Sequence, residues 1–333
     1  MRIDEFFHDN KNIVINADLD GILSGILLQK YLGCRVVGYT NSSKSVWLEK
    51  GIELNSPVYV DMFVTDPYVK CIDQHIVALN QQHQTILAHN PNKLNPNIIR
   101  GVTFENYTSK YPFGTVHFII SLLEKIGISV SMWDLKRHVG DSKIDSNSDR
   151  TKILTADIIL RADDALFNSY RYKKNATSWW CWLNEFSENS KIIGEFIKYK
   201  NTIIDQDNAD KNHDLIKNMF IYYGDTTEKN RKFCGIDEHG GFSDILENAN
   251  VFRGFSQFQK SCSIILDFPD MKYPEQNNLS KHCVTTHKPY TKSVFSSPIE
   301  VKDFIDNGKI GANAVFSYSF ISAKKICYTK DMK

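Results

Sequence analysis

The sequence lacks a CxxC pair, a charge of one dominant sign and any long apolar run. Each absence removes a class of protein. Its seven cysteines are scattered and odd in number, which suits reduced, mostly buried thiols in a cytoplasmic compartment. Lys and Arg total 40 against 39 Asp and Glu, a formal net charge of +1. No global field therefore recruits nucleic acid, and any phosphate-binding surface has to be a local patch. No stretch approaches the roughly 18 apolar residues that cross a bilayer, and the polar, acidic opening "MRIDEFFHDNKN" does not read as a secretory signal. There is no internal repeat and no low-complexity tract. What remains is a chain of 333 residues, 42% hydrophobic, long enough for about two domains with cores of their own. Its richness in Asn, Lys and Ile points to an AT-rich genome, bacterial or phage.

Short apolar runs organise the first 80 residues. "IVINA" (13–17), "CRVVGYT" (34–40), "SPVYVDMFV" (56–64) and "KCIDQHIV" (70–77) read as buried strands, continuous in apolar residues as parallel strands are. "GILSGILLQKYLG" (21–33) has helical spacing and a closing Gly33, and "FGTVHFIISLLEKIG" (113–127) reads as an amphipathic helix stopped by Gly127. Strands alternating with helical or loop crossovers predict a parallel α/β sheet. Residues 179–220 look helical and aromatic, with Trp179, Trp180 and Trp182 as a core or helix-packing cluster. Beyond 218, "MFIYYG", "CSIILDF", "NAVFSYSF" and "KKICYT" read as strands of a smaller α+β unit.

Ligands of parallel sheets sit beyond the carboxyl ends of the strands. Acidic residues gather there: Asp18 and Asp20 after the first strand, Asp61 after "VYV" and Asp73 after "KCI". Any one of them could simply cap a helix. The turn "DGILSG" could instead bind phosphate at a helix N-terminus, although two acids would repel that phosphate without a metal between them. A third reading is a divalent-metal site, because converging carboxylates raise each other's pKa unless a cation neutralises them. Oxygen ligands suit Mg²⁺ or Mn²⁺, and an added histidine favours Mn²⁺.

"NADLDGILSG", "VYVDMF", "CIDQHIV" and "HVGDSKID" follow the order and rough spacing of the four motifs of the DHH phosphoesterase superfamily, which residues 10–170 resemble. That superfamily contains RecJ-like exonucleases, oligonucleotide phosphatases, cyclic-dinucleotide phosphodiesterases and family II pyrophosphatases. The resemblance implies a parallel-sheet DHH-type domain over 1–170, a helical connector over 171–217 and a smaller substrate-binding α+β domain over 218–333. It implies two Mn²⁺ or Mg²⁺ ions held by Asp18, Asp20, Asp61 and Asp141, with Asp61 bridging. A metal-activated hydroxide would attack phosphorus in single-stranded DNA or RNA, an oligonucleotide or a dinucleotide. His75 would orient or protonate the phosphate, and Asp73 would tie the third motif together.

Two positions depart from the family's pattern. Asn16 stands where the family has a histidine ligand, and Asp73-Gln74-His75 replaces Asp-His-His. Asn16 and Gln74 are weaker, neutral candidate metal ligands, so the chain is either an enzyme with an oxygen-rich site or a non-catalytic binding or assembly protein of the same fold. His83 and His89 follow the third motif closely and could replace a lost imidazole if the loop folds back. The family's Gly-Gly-Gly-His loop is missing. Arg253 and Lys260, interleaved with aromatics in "VFRGFSQFQK", are the candidate contacts to a single strand.

Overall fold

The computed structural model describes residues 1–40, 45–111, 114–128, 130, 249–266, 268–283, 297–306 and 315–330. Asp141, the Trp179–Trp182 cluster, the expected connector over 171–217 and the run "MFIYYG" lie outside the described residues.

The apolar runs become strands of one seven-stranded, mostly parallel sheet. In chain order they are β1 (Asn12–Asn16), β2 (Arg35–Thr40), β3 (Ser45–Glu49), β4 (Val58–Val60), β5 (Cys71–Ile72), β6 (Lys93–Leu94) and β7 (Leu279–Cys283). Their spatial order is β6-β5-β4-β1-β2-β3-β7. The neighbours from β6 through β2 pair in parallel, whereas β3 runs antiparallel to both β2 and β7. From β1 the chain moves outward to β2, then resumes on the other side of β1 with β4. The crevice above β1 and β4 is thus the topological switch point, the place where open α/β sheets bind ligands.

Strand periodicity divides the core into two layers. Ile13 and Ile15 face one layer, together with Val36, Tyr39, Val58, Val60 and Ile72. Covering this face are the short α1 (Ile3–Phe6), α2 (Leu19–Leu32), α5 (Thr115–Lys125) and α6 (Ala249–Ile265). Helix α2 ends where expected, at Gly33 in the left-handed region with φ 67°. On the other face Val14, Val37, Tyr59 and Cys71 pack against a small antiparallel sheet. That sheet comprises β8 (Ser297–Glu300), β9 (Val315–Ser322) and β10 (Lys325–Lys330), in the order β8-β10-β9, with α7 (Val301–Asp306) between β8 and β9. Tyr59 meets Phe316 edge-on and Phe63 meets Tyr318 in the same way, so the two sheets share one hydrophobic layer.

By its apolar, β-branched residues "CSIILDF" reads as a strand, yet Cys262 to Ile265 continue α6. The cause is a longer-range pattern: Phe252, Phe255, Gln259, Cys262 and Leu266 recur at three- and four-residue spacing and are all buried. A short β-branched run cannot by itself be distinguished from a buried helical segment. Tyr39 of β2 anchors that helix, its hydroxyl donating to Gln259 Oε1 at 3.2 Å while Phe255 packs edge-on against its ring. "NAVFSYSF" and "KKICYT" are strands, β9 and β10. Within the expected 218–333 unit, α6 and β7 therefore join the large sheet's layers, and β8 to β10 cover its opposite face.

The connections beyond β5 are held by polar side chains. In α4 (Pro96–Ile99) Asn97 donates to the carbonyls of Gln74 and Ile76 at 2.9 and 2.8 Å and accepts from Tyr111 N. Lys93 is buried, and its ammonium donates to the carbonyls of Val64, Asp66 and Val69 at 2.6, 2.7 and 2.7 Å. An internal cation thus gathers the β4–β5 connection. Among the described residues no helix is long and apolar enough to cross a membrane.

Candidate metal centre

Polar residues end or follow all five parallel strands: Thr40 for β2, Asn16 for β1, Asp61 after β4, Asp73 after β5 and Asn95 after β6. The ladder carries into them, with Asp61 N donating to Ile72 O at 2.8 Å and Asp73 N to Leu94 O at 3.2 Å. Pairing register alone therefore sets these side chains in a row along one edge. Asp61 adopts φ 63°, a left-handed conformation that is uncommon outside glycine and costs energy that its surroundings must hold.

Asp20, Asp61 and His75 converge. Each offers one ligand atom, and these atoms lie within 4.8 Å of one another. Asp20 and Asp61 are 2% exposed, while the His75 side chain keeps 28% of its area open to solvent. The imidazole is thus the accessible side of a buried acidic pocket.

Each carboxylate is held from behind. Asp20 reaches across to α5 and accepts from Thr115 N and Val116 N, both at 2.7 Å. One carboxylate thereby caps the first turn of a helix 95 residues away, and the positive end of that helix favours its charge. Asp61 Oδ1 accepts from Thr115 Oγ1 at 2.7 Å and meets His75 Nε2 at 2.8 Å. Asp18 is the N-cap of α2, accepting from Gly21 N at 2.9 Å. Asn16 donates to Asp18 Oδ2 and, at 3.4 Å, to Asp61 Oδ2, while its own oxygen accepts from Thr40 Oγ1 at 3.1 Å. Gly21 is required beside it: a Cβ there would sit 2.2 Å from Asn16 O.

The electrostatics follow from this crowding. Burial, reinforced by the charge of Asp61, pushes the Asp18 carboxyl well above its ordinary value. Burial alone would raise Asp61 as well, but His75 and hydrogen bonds from His75, Thr115 and Asp18 outweigh it and hold Asp61 below the usual range. Of the pair, Asp18 therefore holds a proton the more tightly and Asp61 carries the charge the more readily. Burial also raises Asp73, against opposition from His75 and Asn95. Asp73 does not join the three-residue cluster. Its oxygens accept from His75 N at 2.8 Å and Asn95 Nδ2 at 3.1 Å, which fixes the turn that carries His75.

The sequence candidates therefore separate by position. Asp20, Asp61 and His75 meet. Asp18 and Asn16 adjoin them and hold Asp61, and Gln74 lies with its Nε2 3.3 Å from His75 Nδ1. Arg253 and Lys260 are exposed on α6, outside the cluster. His83 sits in α3 (Gln81–Ala88), accepting from Leu79 N at 3.2 Å, and does not replace an imidazole. Thr115 was not singled out from the sequence, although the helix it begins was. A hydroxyl in the first turn after a glycine signals a helix start, and only the tertiary contact directs it at Asp61.

The donor set fits a hard divalent cation. Two carboxylate oxygens and an imidazole nitrogen suit Mn²⁺ or Mg²⁺. A span of 4.8 Å closes onto one ion, with ligands at about 2.1 Å, after small side-chain adjustments. Chemically, the arrangement offers three ligand atoms to a cation beyond the ends of β1 and β4, with His75 partly open to solvent. Compared with protein-family models, curated proteins and solved structures, the chain matches none of them.

Proposed function

We propose that this chain is a divalent-metal-dependent phosphoesterase of DHH type, acting on phosphodiester bonds in single-stranded nucleic acid or short oligonucleotides in the cytoplasm. The observation that carries the reading is the convergence of Asp20, Asp61 and His75 at the switch point of the parallel sheet. Asp20, Asp61 and His75 would hold Mn²⁺ or Mg²⁺, with Asp18 adjoining and Asp141 as a candidate for a second ion. When bound, the metal supplies Lewis-acid activation of water and neutralises charge on the phosphoryl oxygens. The protein's own share is positioning. Thr115 and Asn16 fix Asp61, the first turn of α5 fixes Asp20, and Asp73 fixes the backbone of His75. The 28% exposure of His75 leaves an approach for an anionic substrate.

A panel assay tests the proposal, with Mn²⁺ against single-stranded DNA, RNA, dinucleotides, cyclic dinucleotides and pyrophosphate. Activity should require the metal and vanish with chelator. Asp61→Asn, which keeps the shape and tolerates the left-handed backbone, should lower kcat at least about 100-fold by removing the central charge. One observation favours a second reading, a non-catalytic binding or assembly protein: both oxygens of Asp20 are already satisfied by α5. Calorimetric titration with Mn²⁺ separates the two. No binding and no cleavage of any substrate would replace the enzyme with the assembly protein.

A further inference from the structure

Resting on the metal-site reading above, the position of Gln74 leads to a role other than ligand. Gln74 is buried between the third-motif turn and α4, its carbonyl held by Asn97. Its amide nitrogen lies 3.3 Å from His75 Nδ1, and His75 Nε2 lies 2.8 Å from Asp61 Oδ1. An amide NH₂ can only donate and a carboxylate can only accept. A neutral ring between them has its proton placed for it, on Nε2, with Nδ1 accepting from Gln74. In that form the nitrogen facing the acidic cluster carries a hydrogen and has no lone pair for a cation.

We infer that Gln74 is a positioning residue that sets the tautomer of His75, and that metal binding is coupled to a flip of the Gln74 side-chain amide. Rotating the amide by 180° about its last side-chain torsion exchanges NH₂ for Oε1 at Nδ1. The ring then carries its proton on Nδ1 and donates it to Oε1, and the Nε2 lone pair is released toward Asp20 and Asp61. The number of protons on the ring is unchanged; one leaves Nε2 as one is gained at Nδ1. Metal-ligating histidines require such an acceptor for the distal N–H. Glutamine supplies the acceptor in one orientation and a donor in the other, whereas an imidazole ligand or a carboxylate at this position would not serve both states. Without metal, the same residue lets His75 donate to Asp61 and partly offset the buried charge.

The test is ¹⁵N NMR of His75 in the full chain, with and without Mg²⁺, beside calorimetric titration with Mn²⁺, for wild type, Gln74→Glu and Gln74→Met. Wild type should show the Nε2–H tautomer without metal and the Nδ1–H tautomer with it. Gln74→Glu, which as a carboxylate can only accept, should place a proton on Nδ1 already without metal. Gln74→Met should leave Nε2–H, held by Asp61 alone, and weaken Mn²⁺ binding about 10-fold because the distal N–H of a ligating ring then has no acceptor. A merely structural role would change stability in these variants and leave the tautomer alone. A proton on Nδ1 in metal-free wild type, or an Nδ1 without a proton in Gln74→Glu, overturns the inference. Mn²⁺ binding in wild type without any change of tautomer overturns the coupling. Should wild type bind no metal while Nδ1 is bare in wild type and protonated in Gln74→Glu, the tautomer assignment stands and the metal-site reading fails.

Discussion

A single methyl at Gly114 tests whether α5 holds the centre together. Gly114 is the N-cap of α5, and its φ of −74° suits any residue, so Gly114→Ala introduces no backbone strain. Its Cβ would lie 2.8 Å from Asp20 Oδ2 and 3.1 Å from both Cγ and Oδ1, where ordinary contact begins at 3.4 Å. The carboxylate must retreat by about 0.6 Å, which stretches its two 2.7 Å bonds to Thr115 N and Val116 N to the limit of useful geometry. Charge-assisted bonds contribute about 1.5–3 kcal/mol each. Losing roughly half of both costs about 1.5–3 kcal/mol, offset by about 0.5–1 kcal/mol because alanine restricts the unfolded chain. Urea denaturation should therefore show a net loss of about 0.5–2.5 kcal/mol. Mn²⁺ affinity should fall at least about 10-fold, since ligands tolerate displacements of only about 0.5 Å. Gly33→Ala is the control. Its φ is 67° with nothing within 4 Å, so it should cost about 1 kcal/mol and leave metal binding unchanged. If Gly114→Ala matches wild type in both measurements, α5 does not position Asp20. If stability falls and affinity does not, Asp20 is a helix cap and no ligand.

Two further predictions concern the frame around the site. Lys93→Met removes an ammonium shared by three carbonyls, two of them buried, and leaving those acceptors unmatched should cost about 3–5 kcal/mol. Denaturation that is unchanged would show the β4–β5 connection to be held without it. His83 is depressed by burial from 6.5 to about 4. Its neutral form is favoured on folding, so its contribution is fully present above pH 6.5 and is lost as pH falls toward 4. The loss should amount to up to about 3 kcal/mol, and His83→Gln, which keeps an acceptor for Leu79 N, should flatten that part of the stability–pH curve. An unaltered curve in the variant refutes the assignment.

Elements with dense local signals were legible in the amino-acid order. β1, β2, β4 and β5 are continuous apolar runs because both of their faces are buried. Helix α2 carries its own stop at Gly33, and α5 lies between Gly114 and Gly127. The strands β3, β6 and β7 were not legible. β6 has two residues, and β7 reads "LSKHC", polar because it lies at the sheet's edge. The strand-like run from Cys262 continues the helix as far as Ile265 because that helix packs on Tyr39 and α2, far away in sequence.

The same division runs through the candidate site. Amino-acid order determined that acids follow the ends of buried strands, since the residue after a parallel strand is carried by its register wherever the sheet forms. Which acids share a pocket depended on strand order, which places β1 beside β4 through backbone pairing that no single segment encodes. The remaining roles were decided by contacts between distant segments: Asp20 capping a helix 95 residues away, Thr115 turned onto Asp61, and Gln74 set beside His75 instead of within the cluster. A side chain's type limits what it can donate or accept, but only the packed chain fixes which group stands opposite it.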